Sequence, residues 1–263
     1  MSNKIIVFDL DETLRKLDFD ENYQRILNVR FRPKLKELLE KLKEVKEKGI
    51  NVAICTTASI QSVNTHFLKY LPEKYNNIFT NIYSTNNKIQ VKSGSLEEEV
   101  YGQNGWNKPV TAIDNYNQIL FFDDNINEGL FLKKLYLEET SPNKQVFFSS
   151  YQYNPLKASQ LYAYKKIAPE NSRMQRYVNK MFAIQLEEPG CGLMIEKIEE
   201  FQNSKFEKGL TIDDNNPKME KYKDDVLDLE EEIEDFLYNN KLWKKYNDYI
   251  KEYHDIIRLH EER

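Results

Sequence analysis

The sequence predicts an α/β fold, a doubly wound parallel sheet with a C-terminal helical extension, and three observations support this prediction. Over the first 154 residues, short apolar runs rich in β-branched residues alternate with helical patterns, as in right-handed βαβ crossovers. After residue 154 these strand-like runs stop. Two apolar stripes at helical spacing then occupy the end of the chain. We therefore expect two domains, 1–154 and 155–263.

The predicted strands are short and apolar throughout, which is typical of strands buried on both faces of a parallel sheet. In chain order they span residues 5–8, 52–55, 78–84, 119–122 and 145–148. The helices predicted between them span 33–48 and 59–70, and a third follows residue 122 and continues to 137. Gly49 is expected to end the first helix.

The C-terminal extension is predicted to be helical over 172–185 and 193–206, with a polar connector at 205–217. The two apolar stripes that follow predict either two helices that meet at a turn or one long bent helix. We expect these stripes to pack on the sheet or on each other. The alternative is that the helices bind a partner through exposed aromatic residues, for which the candidates are Trp243, Tyr246 and Tyr249.

The composition excludes several classes of protein. A formal net charge of −5 over 263 residues argues against binding of nucleic acid by bulk charge. Two cysteines and three histidines are too few for a disulfide framework or a histidine-based metal site. No apolar run could span a bilayer or serve as a signal peptide. We therefore expect a cytoplasmic protein without membrane or nucleic-acid partners, and delivery into a host cell as an effector would fit the same sequence.

Two carboxylates, Asp9 and Asp11, directly follow the first predicted strand. Ligands of open parallel sheets bind at the C-terminal ends of the strands. Two crowded acids repel each other, and their oxygen atoms suit Mg²⁺, which also bridges to phosphate. With a metal present, one carboxylate can attack a phosphoryl group, while the other protonates the leaving oxygen and later activates water. The alternative is that Asp9 ends a strand and that Asp11 or Thr13 caps a turn.

Two further strand ends carry residues that fit phosphate chemistry. Thr56 and Thr57 follow the strand 52–55, where a hydroxyl group and free N–H groups at a helix start can hold phosphate. A second acidic pair, Asp123 and Asp124, follows the strand 119–122. Such a pair would complete a metal site with the first one.

A lysine near this edge of the sheet would neutralise phosphate and stabilise a nucleophilic aspartate. Lys108 precedes the segment that leads into the strand 119–122. Lys88 and Lys92 are alternatives for this position. In the same way, Thr57 takes the place of Thr56 if the second strand is one residue longer.

In this order, these residues resemble the four motifs of the haloacid dehalogenase (HAD) superfamily of phosphohydrolases. The motifs are Asp9-Leu10-Asp11-Glu12-Thr13, Thr56, Lys108 and Asp123-Asp124. The first motif, together with Arg32-Pro33 and the residues after Thr56, is similar to the small phosphatases that act on the C-terminal domain of RNA polymerase II. The resemblance covers about residues 4 to 150 and implies a HAD-like sheet.

The resemblance also implies roles for single residues. Asp9 would attack phosphorus and form an aspartyl-phosphate, and Asp11 would act as general acid and base. The implied ligands of Mg²⁺ are Asp9, the backbone carbonyl of Asp11, Asp123 and Asp124. The implied phosphate contacts come from Thr56, the backbone of Thr57, and Lys108.

The sequence contains no room for a large cap domain over this site. Only 17 residues separate Leu14 from Arg32, and about 20 polar residues from 85 to 105 occupy the other cap position. An open site suits a large substrate, so we expect a phosphatase that acts on phosphotyrosine or phosphoserine/threonine in a protein. The alternatives are a small-metabolite or nucleotide phosphatase, or a HAD-like scaffold whose helical tail mediates binding.

Overall fold

The computed structural model describes residues 3–19, 26–75, 77–84, 108, 110–113, 115–133, 144–203, 209–213 and 215–261. The chain divides into two compact units. The sheet unit comprises Met1–Arg15, Lys34–Tyr153 and Gly190–Asn215. The helical unit comprises Lys16–Pro33, Asn154–Pro189 and Asn216–Arg263. This division by contacts differs from a single boundary after residue 154, and the division into domains 1–154 and 155–263 stays a prediction.

The centre of the sheet unit is a parallel sheet, as predicted, and it has six strands where five were predicted. The described strands are β1 (Lys4–Phe8), β2 (Arg15–Phe19), β3 (Ile26–Phe31), β4 (Asn51–Cys55), β5 (Asn81–Tyr83), β6 (Gln118–Asp123), β7 (Gln145–Ser150) and β8 (Gly209–Asp213). The sheet has the order β5-β4-β1-β6-β7-β8, and its neighbouring strands are parallel. Strands β2 and β3 form a separate two-stranded sheet.

The described helices mostly agree with the predicted ones. They are α1 (Leu35–Glu47), α2 (Ile60–His66), α3 (Ile126–Lys133), α4 (Ala158–Ile167), α5 (Ser172–Leu186), α6 (Gly190–Asn203), α7 (Pro217–Asn239) and α8 (Trp243–Glu261). Short 3₁₀ turns span Leu68–Tyr70, Glu73–Tyr75, Val110–Ile113 and Ala168–Glu170. Gly49, with φ of 81°, follows α1 as expected. Helix α4 was not predicted, and the part of α3 expected beyond Lys133 lies outside the described residues.

Burial on both faces explains the continuous apolar runs of the central strands. The four residues of β1 from Ile5 to Phe8 are fully buried, although their side chains alternate between the two faces. In the neighbouring strand β6, Phe122 stacks on Phe8 with ring centroids 5.0 Å apart. The two strands that carry the candidate acids are therefore held in a fully buried part of the sheet unit.

The prediction that no strand follows residue 154 is wrong. Residues 209–213, expected as part of a polar connector, form β8 and pair with β7. The polar side chain of Asp213 is satisfied at this position, because it accepts a hydrogen bond from Tyr151 Oη at 2.7 Å and pairs with Lys197 at 3.3 Å. An outer strand tolerates such polar residues, so hydrophobicity alone did not reveal it.

In the helical unit, the C-terminal stripes pack against each other. Helices α7 and α8 are separate and meet at a turn in which Lys241 has φ of 57°. Their shared core includes Leu229, Ile233, Phe236, Leu237 and Tyr246. Tyr246 is buried, and Trp243 and Tyr249 are partly buried against the same core. The packing of the stripes on each other agrees with the expectation, and the alternative that Tyr246 is an exposed anchor does not hold, because its ring is buried in the unit itself.

A buried ion pair joins two segments of the helical unit that are far apart in sequence. The Arg32 guanidinium donates through Nη2 to Glu188 Oε1 at 2.8 Å and through Nε to both carboxylate oxygens. Both side chains are fully buried. Such a pair is tolerated because each charge has a partner of opposite sign.

None of the described helices is both long enough and apolar enough to cross a membrane.

Gly129 permits the close approach of α3 to β7, so we expect Gly129→Ala to destabilise the protein. An added Cβ would lie 2.7 Å from Cδ1 of the buried Phe148 ring, and overpacking of this kind costs about 1–3 kcal/mol. Gly192→Ala in α6 is the matched control, because nothing lies within 4 Å of its added Cβ. Urea titrations should show a lower free energy of unfolding for Gly129→Ala only. Equal losses in both variants would contradict the close approach.

Breaking the pair of Arg32 and Glu188 should be more harmful than removing it completely. Glu188→Leu deprives a buried guanidinium of its carboxylate, which costs about 3–5 kcal/mol. The double variant Arg32→Met/Glu188→Leu removes both charges and should regain much of this free energy. Chemical denaturation of both variants measures the difference. A double variant no more stable than Glu188→Leu would show that burial of the unpaired charge is not the cause.

Candidate active site

The C-terminal ends of three adjacent strands bring the predicted site residues to one edge of the sheet. Asp9 follows β1, Thr56 follows β4 and Asp123 ends β6. Phe8 lies opposite Phe122 in the parallel register, and the Asp9 N–H donates to the Phe122 carbonyl at 2.8 Å. The backbone pairing of β1 and β6 thus places the first and second acidic motifs side by side.

Lys108 joins these two motifs. Its Nζ lies 3.2 Å from Asp9 Oδ1 and 2.5 Å from Asp123 Oδ2. All three side chains are buried, and Asp123 Oδ1 also accepts the Asn125 N–H at 2.9 Å. Lys108 is therefore placed where the sequence predicted a lysine. The alternatives, Lys88 and Lys92, lie outside the described residues.

Three carboxylates at this edge could hold a metal ion. One oxygen atom each of Asp9, Asp123 and Asp124 lies within 4.8 Å of the others. Hard oxygen donors of this kind suit Mg²⁺. The three carboxylates carry more negative charge than Lys108 offsets, so they would attract a divalent cation. The donor set therefore fits the expected ion.

The shifted pKa values of these groups indicate that the protein alone does not fully compensate the negative charge of the three carboxylates. Burial raises the pKa of Asp9 to about 7, although Lys108 opposes the shift. Burial also raises the pKa of Asp123 to about 8 and that of Asp124 to about 6. For Lys108, burial alone would lower the pKa, but Asp123 and Asp9 hold it well above its usual value. Perturbations of this size are typical of functional sites.

Asp11 lies near this cluster but has a different environment. Its side chain is 37% exposed, and Oδ1 accepts a hydrogen bond from Arg15 Nε at 2.8 Å. Arg15 is fully buried and also contacts Ser62 in α2. The sequence prediction included Asp11 but missed Arg15. The only signal was a charged residue directly after the apolar Leu14.

The two threonines after β4 differ in exposure. Thr56 is fully buried, its Oγ1 accepts the Ala58 N–H at 3.2 Å, and its own N–H donates to the Tyr83 carbonyl at 2.9 Å. Thr57 is exposed. Both residues lie at the edge that carries Asp9 and Asp123, and their roles in phosphate binding stay predictions.

Two further buried residues, Glu128 and Cys55, lie beside the site. Glu128, in the first turn of α3, is buried and acts on both Lys108 and Asp123. Sequence reasoning missed it, since a helical glutamate next to Gly129 carries no distinctive signal. Burial in the core of the sheet unit raises the pKa of the Cys55 thiol well above its usual value.

Comparison with known families identifies the chain. The family model of NLI interacting factor-like phosphatases matches residues 4–138. Because this match covers more than half of the sequence, the chain belongs to that family of HAD-type phosphatases. The expected resemblance, fold and phosphatase activity are thus confirmed. A search among curated proteins found no match.

Lys108 should be needed for activity, not for folding alone. Lys108→Met removes the cation between Asp9 and Asp123, and loss of one preorganised charge contact of this kind lowers kcat by about 10²–10³-fold. Hydrolysis of p-nitrophenyl phosphate measures this loss, and the melting temperature reports folding.

The matched control is Lys197→Met, because Lys197 also pairs with a carboxylate of the sheet unit, Asp213, but not with the acidic cluster. We expect Lys197→Met to keep its kcat. Wild-type kcat in Lys108→Met would contradict the assignment.

Proposed function

We propose that this phosphatase hydrolyses phosphomonoesters on protein side chains, with Asp9 as nucleophile and Mg²⁺ as cofactor. The observation that carries the proposal is the buried contact of Asp9 with Lys108 beside Asp123 and Asp124. A carboxylate held against a lysine at a strand end can approach an anionic phosphoryl group, because the cation offsets their mutual repulsion.

The first step transfers the phosphoryl group to Asp9. A carboxylate oxygen of Asp9 forms a bond to phosphorus as the bond between phosphorus and the ester oxygen breaks. The leaving oxygen takes a proton from Asp11, so the side chain of the substrate departs as a neutral hydroxyl group. Lys108, Thr56 and the backbone of Thr57 hold the remaining phosphate oxygens.

The second step regenerates the enzyme. Asp11, now ionised, takes a proton from a water molecule as the water oxygen attacks phosphorus. The bond between phosphorus and Asp9 breaks, which releases inorganic phosphate and restores the Asp9 carboxylate. Asp11 thus alternates between acid and base within one turnover.

The acidic cluster is the proposed site for Mg²⁺. Asp9, Asp123 and Asp124 would hold the ion with the backbone carbonyl of Asp11. When bound, Mg²⁺ supplies positive charge that neutralises the phosphate and the acids around it. The donor set and its excess negative charge support this choice.

A protein substrate is proposed because the first cap position holds only a small insertion. Between Leu14 and Arg32, the described residues form the short strands β2 and β3. The second cap position, 85–105, lies outside the described residues. A large substrate can itself exclude water from an open site. The resemblance to phosphatases that act on a polymerase domain supports the same class of substrate.

Asp9→Asn should abolish hydrolysis of p-nitrophenyl phosphate, because the amide cannot form the acyl phosphate. Chelation by EDTA should also abolish it, and added Mg²⁺ should restore it. Asp228→Asn is the control, since Asp228 is exposed on α7 and its change should leave kcat as it is. Activity that persists in Asp9→Asn or in EDTA would overturn the mechanism.

The substrate class is tested by phosphate release from phosphotyrosine peptides, phosphoserine peptides and a panel of nucleotides and sugar phosphates. Higher kcat/KM for a peptide than for every free metabolite would support the proposal. A metabolite or nucleotide with the highest kcat/KM would replace the protein substrate and leave the Asp9 mechanism intact.

A further inference from the structure

Arg15 is a buried charge in contact with Asp11. Its side chain is fully buried, and a guanidinium stays protonated in proteins, so its burial carries a desolvation cost. An apolar side chain would fill the same space without that cost. Packing therefore does not explain an arginine at this position, and its contacts must be considered.

Helix α2 anchors the far end of the Arg15 side chain. Nη1 donates to the Ser62 carbonyl and Nη2 to Ser62 Oγ, both at 3.3 Å. Because the guanidinium is planar, these two contacts fix the direction in which Nε points. Ser62 is itself held in place, since its N–H donates to Ser59 Oγ at the N-terminus of α2. The anchor therefore has a hydrogen bond of its own.

Backbone hydrogen bonds close the turn between the two partners. The Arg15 N–H donates to the Leu10 carbonyl at 3.0 Å, and the Glu12 N–H donates to the Arg15 carbonyl at 2.7 Å. Glu12 adopts φ of 58° to make this turn. The backbone thus fixes the base of the Asp11 side chain. The contact of Oδ1 with Arg15 Nε at 2.8 Å then fixes the position of the carboxylate.

We propose that Arg15 is a positioning residue that orients the Asp11 carboxyl group for proton transfer. The inference rests on the proposed function, in which Asp11 is the general acid and base. Arg15 contacts Oδ1, so Oδ2 is the oxygen available for proton transfer. In the proposed mechanism, Oδ2 gives a proton to the ester oxygen as the bond from phosphorus to that oxygen breaks, and later takes one from the attacking water.

A positioning role predicts a dependence on the leaving group. Phenyl phosphate releases a basic phenolate that needs a proton, whereas p-nitrophenolate is stable without one. Arg15→Met should therefore lower kcat/KM for phenyl phosphate by about 10²-fold, the size of loss that a misplaced catalytic group can cause. The loss for p-nitrophenyl phosphate should be several times smaller. Arg15→Lys keeps a cation and should recover part of the phenyl phosphate activity.

Two controls separate positioning from general damage. Arg32→Met breaks another fully buried pair of an arginine with a carboxylate, and it should lower the melting temperature without changing the ratio of the two kcat/KM values. Asp11→Asn should reproduce the altered ratio of Arg15→Met. In the Asp11→Asn background, Arg15→Met should add little, because the two residues act as one unit.

Ser62→Ala provides a second test that does not depend on the folding of Arg15→Met. It removes the Oγ contact of Nη2 but keeps the backbone contact and the charge of Arg15. We expect a smaller loss with the same preference for phenyl phosphate. Equal losses for both phosphates in Ser62→Ala or Arg15→Met, while activity still requires Asp9, would overturn the role of Arg15 alone. Activity in Asp9→Asn would overturn the proposed function and this inference together.

Discussion

The site depends on one interaction, the buried contact of Lys108 with Asp9 and Asp123. The parallel register of β1 and β6 puts two carboxylates next to each other in an apolar environment, where like charges are costly. Lys108 Nζ lies within 3.2 Å of both and offsets part of that cost. The negative charge that Lys108 does not offset, together with that of Asp124, attracts a divalent cation to this edge of the sheet.

The same constraint connects the fold to the chemistry. Strands β1 and β6 are apolar on both faces, so they pack tightly and hold their last residues in fixed positions. Gly129 lets α3 approach β7 closely, and the preceding residue of the same helix, Glu128, is buried and acts on Lys108 and Asp123. The same few residues therefore determine both the packing of the apolar sheet and the arrangement of its charged edge.

The sequence predicted the parts of this arrangement that follow from simple patterns. Continuous apolar runs predicted the central strands, and the rule that ligands bind at strand ends brought Asp9, Thr56 and Asp123 together. Strand β8 was missed because its polar Asp213 finds partners only in the folded sheet. Whether Tyr246 is covered or exposed stayed open, because periodicity shows a stripe but not what covers it. Both limits share one cause, since each depends on contacts between residues distant in sequence.

Within the site, Arg15 is a further residue whose importance the sequence alone did not reveal. Its charge is unremarkable in the sequence, and its meaning comes from the pairing with Asp11 and from the anchor on Ser62. Arg15 is also the last residue of the sheet unit before residues 16–33, which belong to the helical unit, and it begins β2. The backbone of the insertion and the orientation of the proposed general acid therefore meet in one residue. The Asp11 contact uses the side chain of Arg15, and β2 uses its backbone.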